Sequence, residues 1–166
     1  MATLNFDYGL TCNFSSAGVV AGTTSTITTT VISNACINGK FTTPYAVTAT
    51  AASPTVDIAD GLAFDTLPPN STCTLLVGIT AAGVLAMTQG QTIPTNVGVT
   101  TTVGSFLREP QFPSIPDGFV PLAYTVVRTA PSAAPWTPGT GSWTASGVTA
   151  TTFQNVAQLP SRPQIS

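Results

Sequence analysis

The sequence predicts an all-β protein: a single β-sandwich or barrel, jelly-roll-like, of about eight to ten short strands with extended terminal segments. Glu and Lys, which favour helices, occur once each in 166 residues, whereas the strand-favouring residues Thr, Val and Ile are abundant. Turn signals recur about every 8–12 residues, the spacing typical of short antiparallel strands. No repeat or linker divides the chain, so these observations favour one domain.

Two hairpins are predicted from turn residues that lie between apolar runs. Asn38-Gly39 is the strongest short hairpin signal in the chain. Ala82-Gly83 separates CTLLVGIT, residues 73–80, from VLAMTQG and predicts the second hairpin. The first of these two runs is expected to be a core strand.

Further strands are predicted by β-branched runs and by alternation. Residues 23–33, TTSTITTTVIS, are a β-branched run, and residues 45–52, YAVTATAA, alternate as a strand does. Residues 147–159 predict one last strand. Residues 90–111 are less regular and indicate either a strand pair or an extended excursion.

The run FVPLAYTVVRT, residues 119–129, predicts a strand that is covered on both sides, at least in an assembled form. Pro121 cannot donate to a strand ladder, which places it at a sheet edge or near the start of the strand. Strict alternation assigns the side chains to two mostly apolar faces. One face holds Phe119, Pro121, Ala123, Thr125 and Val127, and the other holds Val120, Leu122, Tyr124 and Val126.

The domain organisation follows from these elements. Residues 1–35 form an N-terminal strand or arm region, which is either separate or part of the same domain. Residues 36–160 form the β-rich body, and residues 161–166 form a proline-stiffened C-terminal tail.

The low charge of the chain indicates a protein that associates. Charged residues make up 6% of the sequence, against about 25% in an ordinary soluble domain. A surface of Thr, Ser, Ala, Gln and Asn is easily buried against copies of itself or a partner, because no ionised group has to be desolvated. We therefore expect a homo-oligomer, with a trimer favoured.

Patterns for catalysis and metal binding are lacking. The chain has no His, which removes the Ser-His-Asp and Cys-His arrangements and most zinc sites. Glu109 is the only glutamate, so a carboxylate pair would have to draw on scattered aspartates. Asp57, Asp60 and Asp65 could hold Ca²⁺, but Asp and Gly are what turns use, which is the interpretation we favour. We expect no enzymatic activity, no metal and no cofactor.

Binding to nucleic acid or to a membrane is not expected either. The four basic residues Lys40, Arg108, Arg128 and Arg162 are widely spaced and the net charge is −2, so no basic stripe forms. The apolar stretches are broken well short of the ~20 residues that a membrane helix needs. The start MATLNFDYGL lacks the positive charge of a signal peptide, so we expect synthesis and assembly in a cytoplasm.

Three cysteines, Cys12, Cys36 and Cys73, stand far apart in the sequence. An odd number cannot form a complete intrachain framework, and buried free thiols are the favoured interpretation. A Cys12–Cys36 bridge is an alternative that their spacing in the sequence does not support.

The two tryptophans lie in or beside the turn-rich stretch PWTPGTGSW. One interpretation is a platform that stacks on sugars or anchors a partner, and the other is that each ring caps an open end of the core. For Trp143, which alternates into the following segment, we favour the cap. For Trp136, between two prolines, both interpretations stay open.

The segment REPQFPSIPDG, residues 108–118, predicts a strap between subunits. Its prolines hold the backbone extended and remove donors, so it cannot lie deep in a sheet. Phe112 and Ile115 alternate with those prolines and are placed to lie on a neighbouring surface. Arg108 and Arg128 flank the unit and are expected to pair with Glu109 or Asp117, or with a partner.

These features together give a set of candidate residues for subunit or partner contact. The set is Arg108, Phe112, Ile115, Pro116, Tyr124, Arg128, Trp136, Trp143 and Arg162.

Four pieces of the chain, in this order, resemble proteins encoded among the structural genes of tailed bacteriophages. They contain a hairpin that ends in Gln-Gly, a proline-rich entry, a P-L-A-Y strand, a T-P-G-T turn and a final L-P-S-R-P. The span covers about three-quarters of the chain, and the N-terminal 35 residues match least. The pieces are residues 38–64, 75–91, 110–127 and 136–164.

The resemblance implies a non-enzymatic structural protein of the virion. A short, non-repetitive β-rich chain differs from tail fibres, and it lacks the helices and catalytic motifs of portal, protease and terminase proteins. A capsid decoration (cement) protein that oligomerises and stabilises the head shell, with the major capsid protein as its partner, fits best. The alternative is a receptor- or carbohydrate-binding module of a head fibre, tail spike or baseplate, with Trp136, Trp143 and Tyr124 stacking on sugars.

Overall fold

A computed structural model describes residues 12–13, 16–29, 35–41 and 51–165. In these residues the chain forms twelve strands and no helix, which confirms the all-β prediction. No helix long and apolar enough to span a membrane is found in the described ranges. The strands are β1 (Cys12–Asn13), β2 (Val20–Ala21), β3 (Thr26–Thr28), β4 (Ala35–Ile37), β5 (Lys40–Phe41), β6 (Ala51–Ala52), β7 (Ser71–Thr80), β8 (Leu85–Gln89), β9 (Ile93–Pro94), β10 (Phe119–Thr129), β11 (Val148–Ala150) and β12 (Gln154–Asn155).

The centre of the fold is an antiparallel sheet built on β7 and β10. Strands β8 and β9 pair with the outer edge of β7, and β11 and β12 pair with the outer edge of β10. Two three-stranded sheets, ordered β1-β4-β5 and β2-β3-β6, accompany it. The described sheets keep open edges and do not close, so the barrel alternative of the prediction is wrong.

Both predicted hairpins are present. Asn38 and Gly39 have φ of 50° and 75° between the paired residues Ile37 and Lys40, as expected for a two-residue turn of type I′. The second hairpin joins β7 to β8, and the amide of Gly83 donates to the carbonyl of Thr80 at 2.8 Å.

The two central strands confirm the predicted ones: β10 spans the predicted residues 119–129, and β7 begins two residues before the predicted 73–80. β7 has ten residues and β10 has eleven, and both are buried along almost their whole length. They pair antiparallel from Phe119 opposite Thr80 to Arg128 opposite Thr72. Burial on both faces explains why these two runs are almost continuously apolar.

A β-bulge in β10 overturns the predicted assignment of its faces. The register shifts between Pro121 and Ala123, so Leu122 is an extra residue relative to β7. Leu122 and Ala123 consequently belong to the same apolar cluster, whereas Tyr124 joins Phe119 on the opposite side. Pro121 lies near the start of the strand, as expected, and the bulge accommodates its missing donor.

The first face of the central sheet carries the main core. Alternating residues Cys73, Leu75, Val77 and Ile79 of β7 pack there with side chains from most of the described chain. The other core members are Ala17, Val19, Ile27, Ala35, Ile37, Phe64, Leu67, Met87, Val120, Leu122, Ala123, Val127, Trp136, Trp143 and Phe153. Part of the 1–35 region therefore shares this core with the 36–160 body.

The remaining predicted strands are only partly described. Of residues 23–33, Thr26–Thr28 form β3, and 30–33 lie outside the described residues, as do 45–50 of the predicted 45–52 strand. The predicted strand 147–159 is two short strands, because the hydroxyl of Thr151 accepts a hydrogen bond from the amide of Val126 at 2.9 Å. This side-chain bond replaces a ladder bond and separates β11 from β12.

Candidate interaction surface

Residues 108–118 cover the second face of the central sheet. The ring of Phe112 meets Tyr124 of β10 edge-on, with 5.0 Å between ring centroids and an interplanar angle of 84°. These rings form a small apolar cluster with Leu76 and Phe119. Phe112 thus packs on its own chain, and the segment predicted to reach a neighbour covers its own sheet.

The C-terminal tail lies beside that segment. The amide of Gln164 donates to Tyr124 Oη at 2.9 Å, and Leu159 packs against the same cluster. The guanidinium of Arg162 forms an ion pair with Glu109, so the partner of Glu109 is neither of the two arginines that the sequence suggested. Residues 108–118 and the C-terminal tail together cover Tyr124.

Replacing Tyr124 by Phe should loosen this cover. The ring contact with Phe112 stays, but the backbone amide of Gln164 loses its acceptor, which costs about 1 kcal/mol. We expect faster hydrogen exchange in the tail and a small fall in the free energy of unfolding, measured by exchange mass spectrometry and urea titration. Arg162→Gln is the control, because an exposed ion pair contributes only ~0–1 kcal/mol. Equal exchange of the tail in Tyr124→Phe and in the unchanged chain would contradict the prediction.

Residues 95–106 form a short antiparallel ribbon, which decides the alternatives left open for 90–111. Thr95 bridges Phe106, and Val99 and Thr102 exchange backbone hydrogen bonds of 3.1 and 2.8 Å. Between these pairs the amide of Asn96 donates to the carbonyl of Ser105 at 2.9 Å.

The ribbon is anchored to the body at several points. The carbonyl of Thr100, at the tip, accepts hydrogen bonds from the amide and the hydroxyl of Ser132 at 3.1 and 2.8 Å. The carbonyl and the side-chain oxygen of Asn70 accept from the amides of Thr95 and Gly98 at 2.8 and 3.2 Å. Contacts at both its tip and its base hold the ribbon in one position.

Arg128 supports the base of the ribbon from β10. Its guanidinium carbon lies 4.9 Å from the centroid of the Phe106 ring, and its Nη1 donates to the carbonyl of Gly104 at 3.4 Å. Burial lowers the pKa of this guanidinium from its usual value. The residue therefore acts inside the chain, through a cation–π contact, and not in the surface ion pair that the sequence suggested.

The anchored ribbon displays large apolar side chains to solvent. Val97 and Val99 are 79% and 74% exposed, and Leu107, directly after the ribbon, is 54% exposed. Val97 and Val99 are two residues apart in an extended segment, so they point to the same side. We name Val97, Val99 and Leu107 the apolar ribbon patch.

The two tryptophans lie in the core. Trp136 and Trp143 are 2% and 6% exposed, and their ring centroids are 5.3 Å apart. Their indole nitrogens donate to the carbonyls of Ser142 and Thr26 at 2.9 and 3.0 Å. Both rings therefore cap the core, and the interpretation as an exposed platform is not supported for either.

The nine predicted contact residues are thus divided by their burial. Several members contact their own chain, among them the exposed Arg162, which pairs with Glu109. Tyr124, Trp136 and Trp143 are buried, Phe112, Pro116 and Arg128 are half-buried, and Arg108, Ile115 and Arg162 are exposed.

The acidic stretch after residue 56 is a turn. Asp57 accepts hydrogen bonds from the amides of Ala59 and Gln89, both at 2.8 Å, and Asp60 accepts one from the amide of Leu62. In the described part of the chain no group of three or more His, Cys, Asp or Glu side chains is arranged to hold a metal ion. The carboxylates of Asp57 and Asp60 are used to fix the turn and to attach it to β8.

Sequence reasoning missed the apolar ribbon patch. Its signal was Val97-Gly98-Val99, two valines either side of a glycine, in a stretch whose threonines suit either an exposed or a buried strand. Because alternation gives the period of a strand but not which side faces solvent, the exposure of these valines could not be derived.

No family model matches the chain, no curated protein matches it, and no solved structure matches it.

Proposed function

We propose that the protein is a non-enzymatic structural component that assembles with copies of itself through the apolar ribbon patch. The observation that carries this proposal is the exposure of Val97 and Val99 on a ribbon that hydrogen bonds hold in place. Burying a valine side chain fully is worth about 1.5–3 kcal/mol. A surface ordered before binding loses little entropy when a partner covers it.

A second copy of the chain is the occupant that the charge distribution favours. The three residues of the patch carry no charge, and the whole chain has a net charge of only −2, so two copies repel each other weakly. A surface without charge selects no partner of opposite charge, and it is complementary to an equally uncharged surface. Copies arranged around a symmetry axis bury the same patch in each subunit, and a trimer is the form we favour.

The phage assignment rests on the ordered motifs between residues 38 and 164. On that basis the oligomer is a decoration protein of a tailed-bacteriophage head, which binds the major capsid protein and is located in the virion. The exposed Ile115 and Arg108, on the segment that covers the second sheet face, are the proposed contacts with the shell.

The position in the particle is tested by cryo-electron microscopy of virions that carry the chain. Density for the β-rich body on the outer face of the capsid, repeated around its local symmetry axes, would support the proposal. Location on the tail or baseplate would overturn the decoration function. A carbohydrate-binding function is not favoured, since the three aromatic side chains proposed for it are buried.

Assembly is tested by light scattering on the purified chain with Val97→Asp and Val99→Asp combined. The unchanged chain should have three times the chain mass of 16.9 kDa. Burying two carboxylates in place of two valines should weaken association at least about a hundredfold, since each tenfold step is about 1.4 kcal/mol. The variant should therefore be monomeric at concentrations where the unchanged chain is assembled.

Val84→Asp is the matched control for this pair. Val84 is 60% exposed and follows the turn that comes after Thr80, the last residue of β7. The ribbon is attached to Asn70, which precedes the first residue of β7, so Val84 and the ribbon lie at different ends of this strand. Its substitution should leave the mass of the assembly unchanged. A monomeric unchanged chain at every concentration, or an assembly that survives both ribbon substitutions, would contradict the proposal.

A further inference from the structure

The fold brings two of the three cysteines together. Cys12 of β1 and Cys36 of β4 are direct partners in the antiparallel pair β1-β4, and the next pair is Asn13 with Ala35. The Cα atoms of directly opposed residues in such a pair lie about 4.5–5.5 Å apart. Disulfides join Cα atoms about 4.4–6.8 Å apart, so the Cα separation expected for this pair lies within the range that a disulfide requires.

The third cysteine has no such partner. Cys73 lies opposite Val127 in the central sheet and is buried in the main core. All three thiols are reduced and buried in this structure. The odd cysteine count is thus a cross-strand pair plus one core residue, which the spacing in the sequence did not reveal.

We infer that Cys12 and Cys36 are a redox site, which closes to an intrachain disulfide when the chain meets a small-molecule disulfide such as oxidised glutathione. One protein thiolate attacks the disulfide of the oxidant and releases one glutathione thiol. The second protein thiolate then attacks the mixed disulfide and releases the other. Two protein thiols are oxidised to one disulfide, one glutathione disulfide is reduced to two thiols, and the two protons pass to the leaving thiolates.

The bond would fasten β1 to the Asn38-Gly39 hairpin. The chain between Cys12 and Cys36 contains β2 and β3, and Ile27 of β3 is part of the main core. Closing this loop restricts the unfolded chain, which stabilises the folded state. It would therefore lock part of the 1–35 region onto the body without a change in register.

The rate of this reaction is set by access to the thiolate. Burial, and to a smaller extent the neighbouring Cys36, raises the pKa of the Cys12 thiol. Burial raises the pKa of Cys73 to about 12. The folded chain should react slowly with oxidant, and refolding in a glutathione buffer should give the bond faster, because the thiols are then exposed.

Tryptic mapping of the full chain tests the inference. The basic residues are Lys40, Arg108, Arg128 and Arg162, so Cys12 and Cys36 share the peptide 1–40 and Cys73 lies in 41–108. Folded chain is incubated with oxidised glutathione, and a second sample is refolded in its presence. Acid then stops the exchange, and the free thiols are alkylated in neutral denaturant that contains excess alkylating agent before digestion. We expect alkylatable thiols to fall from three to one, with peptide 1–40 unlabelled and two hydrogens lighter, and peptide 41–108 labelled.

Two variants complete the experiment. Cys73→Ser should still form the bond, whereas Cys36→Ser should show no intrachain bond and no rise in the urea midpoint of unfolding on oxidation. In the unchanged chain the urea midpoint of unfolding should rise on oxidation and should return to its initial value when dithiothreitol is added. Three alkylatable thiols after both treatments, a bond that includes Cys73, or a glutathione adduct without an intrachain bond would overturn the inference.

Discussion

Trp143→Ala is expected to lower the free energy of unfolding by ~3–5 kcal/mol, the range for removal of a buried aromatic side chain. The ring of Trp143 lies between Trp136 and Phe153, at centroid distances of 5.3 and 5.5 Å. Removing it leaves a cavity between two other aromatic rings and also leaves the carbonyl of Thr26 without its indole donor. Total stabilities are about 5–15 kcal/mol, so the loss should be visible directly in a urea titration.

Trp143→Phe separates the two contributions. It keeps an aromatic ring between its neighbours and removes the indole N–H and part of the ring volume. The carbonyl of Thr26 still accepts a hydrogen bond from the amide of Gly22 at 2.9 Å. We therefore expect a loss of about 1–2 kcal/mol from the one lost hydrogen bond and the reduced volume. A loss below ~1 kcal/mol in Trp143→Ala would show that the ring does not belong to the core, and it would restore the interpretation of an exposed platform.

The position of this ring also explains how the described part of the 1–35 region is joined to the later part of the chain. The amide of Trp143 donates to the carbonyl of Thr24 at 3.1 Å, and its indole donates to the carbonyl of Thr26. Asn155 of β12 accepts from and donates to the backbone of Val19, at 2.7 and 3.2 Å. The described part of the 1–35 region is held by residues more than a hundred positions later, a link that no local pattern contains.

Local signals in the sequence were sufficient for the hairpins and the central strands. Asn38-Gly39 predicts its turn because both residues tolerate positive φ. The apolar character of 73–80 predicts a core strand and that of 119–129 a strand covered on both faces, and the structure confirms both within one chain. These features depend only on residues that are neighbours along the chain.

Features that depend on distant residues could not be predicted. The bulge at Leu122 shifts Tyr124 to the opposite face, and strict alternation gives no sign of it. The ion pair of Arg162 with Glu109 and the pairing of Cys12 with Cys36 result from the tertiary arrangement. The sequence identified residues 108–118 as a segment that lies on a surface, but it did not show that this surface belongs to the same chain. It also did not show that the valines of the ribbon are exposed.

Gly78→Ala is expected to be the most disruptive single-atom change in the central sheet. Gly78 lies opposite Pro121, beside the bulge, and the ring of Phe119 lies directly over it. A Cβ at this position would lie 2.5 and 2.8 Å from two carbons of that ring, and it would clash with the backbone carbonyl oxygen of Val120. The ring could turn away, but the carbonyl belongs to the paired strand and cannot move without disturbing the ladder.

We therefore expect Gly78→Ala to cost ~3 kcal/mol, at the upper end of the ~1–3 kcal/mol typical of overpacking. Gly61→Ala is the matched control, since Gly61 has φ of 75° but no atom within 4 Å of an added Cβ, so only backbone strain of about 1 kcal/mol is added. Urea titration of both variants separates steric overlap from strain. An equal loss of unfolding free energy in the two variants would contradict the prediction. It would mean that β7 and β10 can move apart at the bulge and so relieve the overlap.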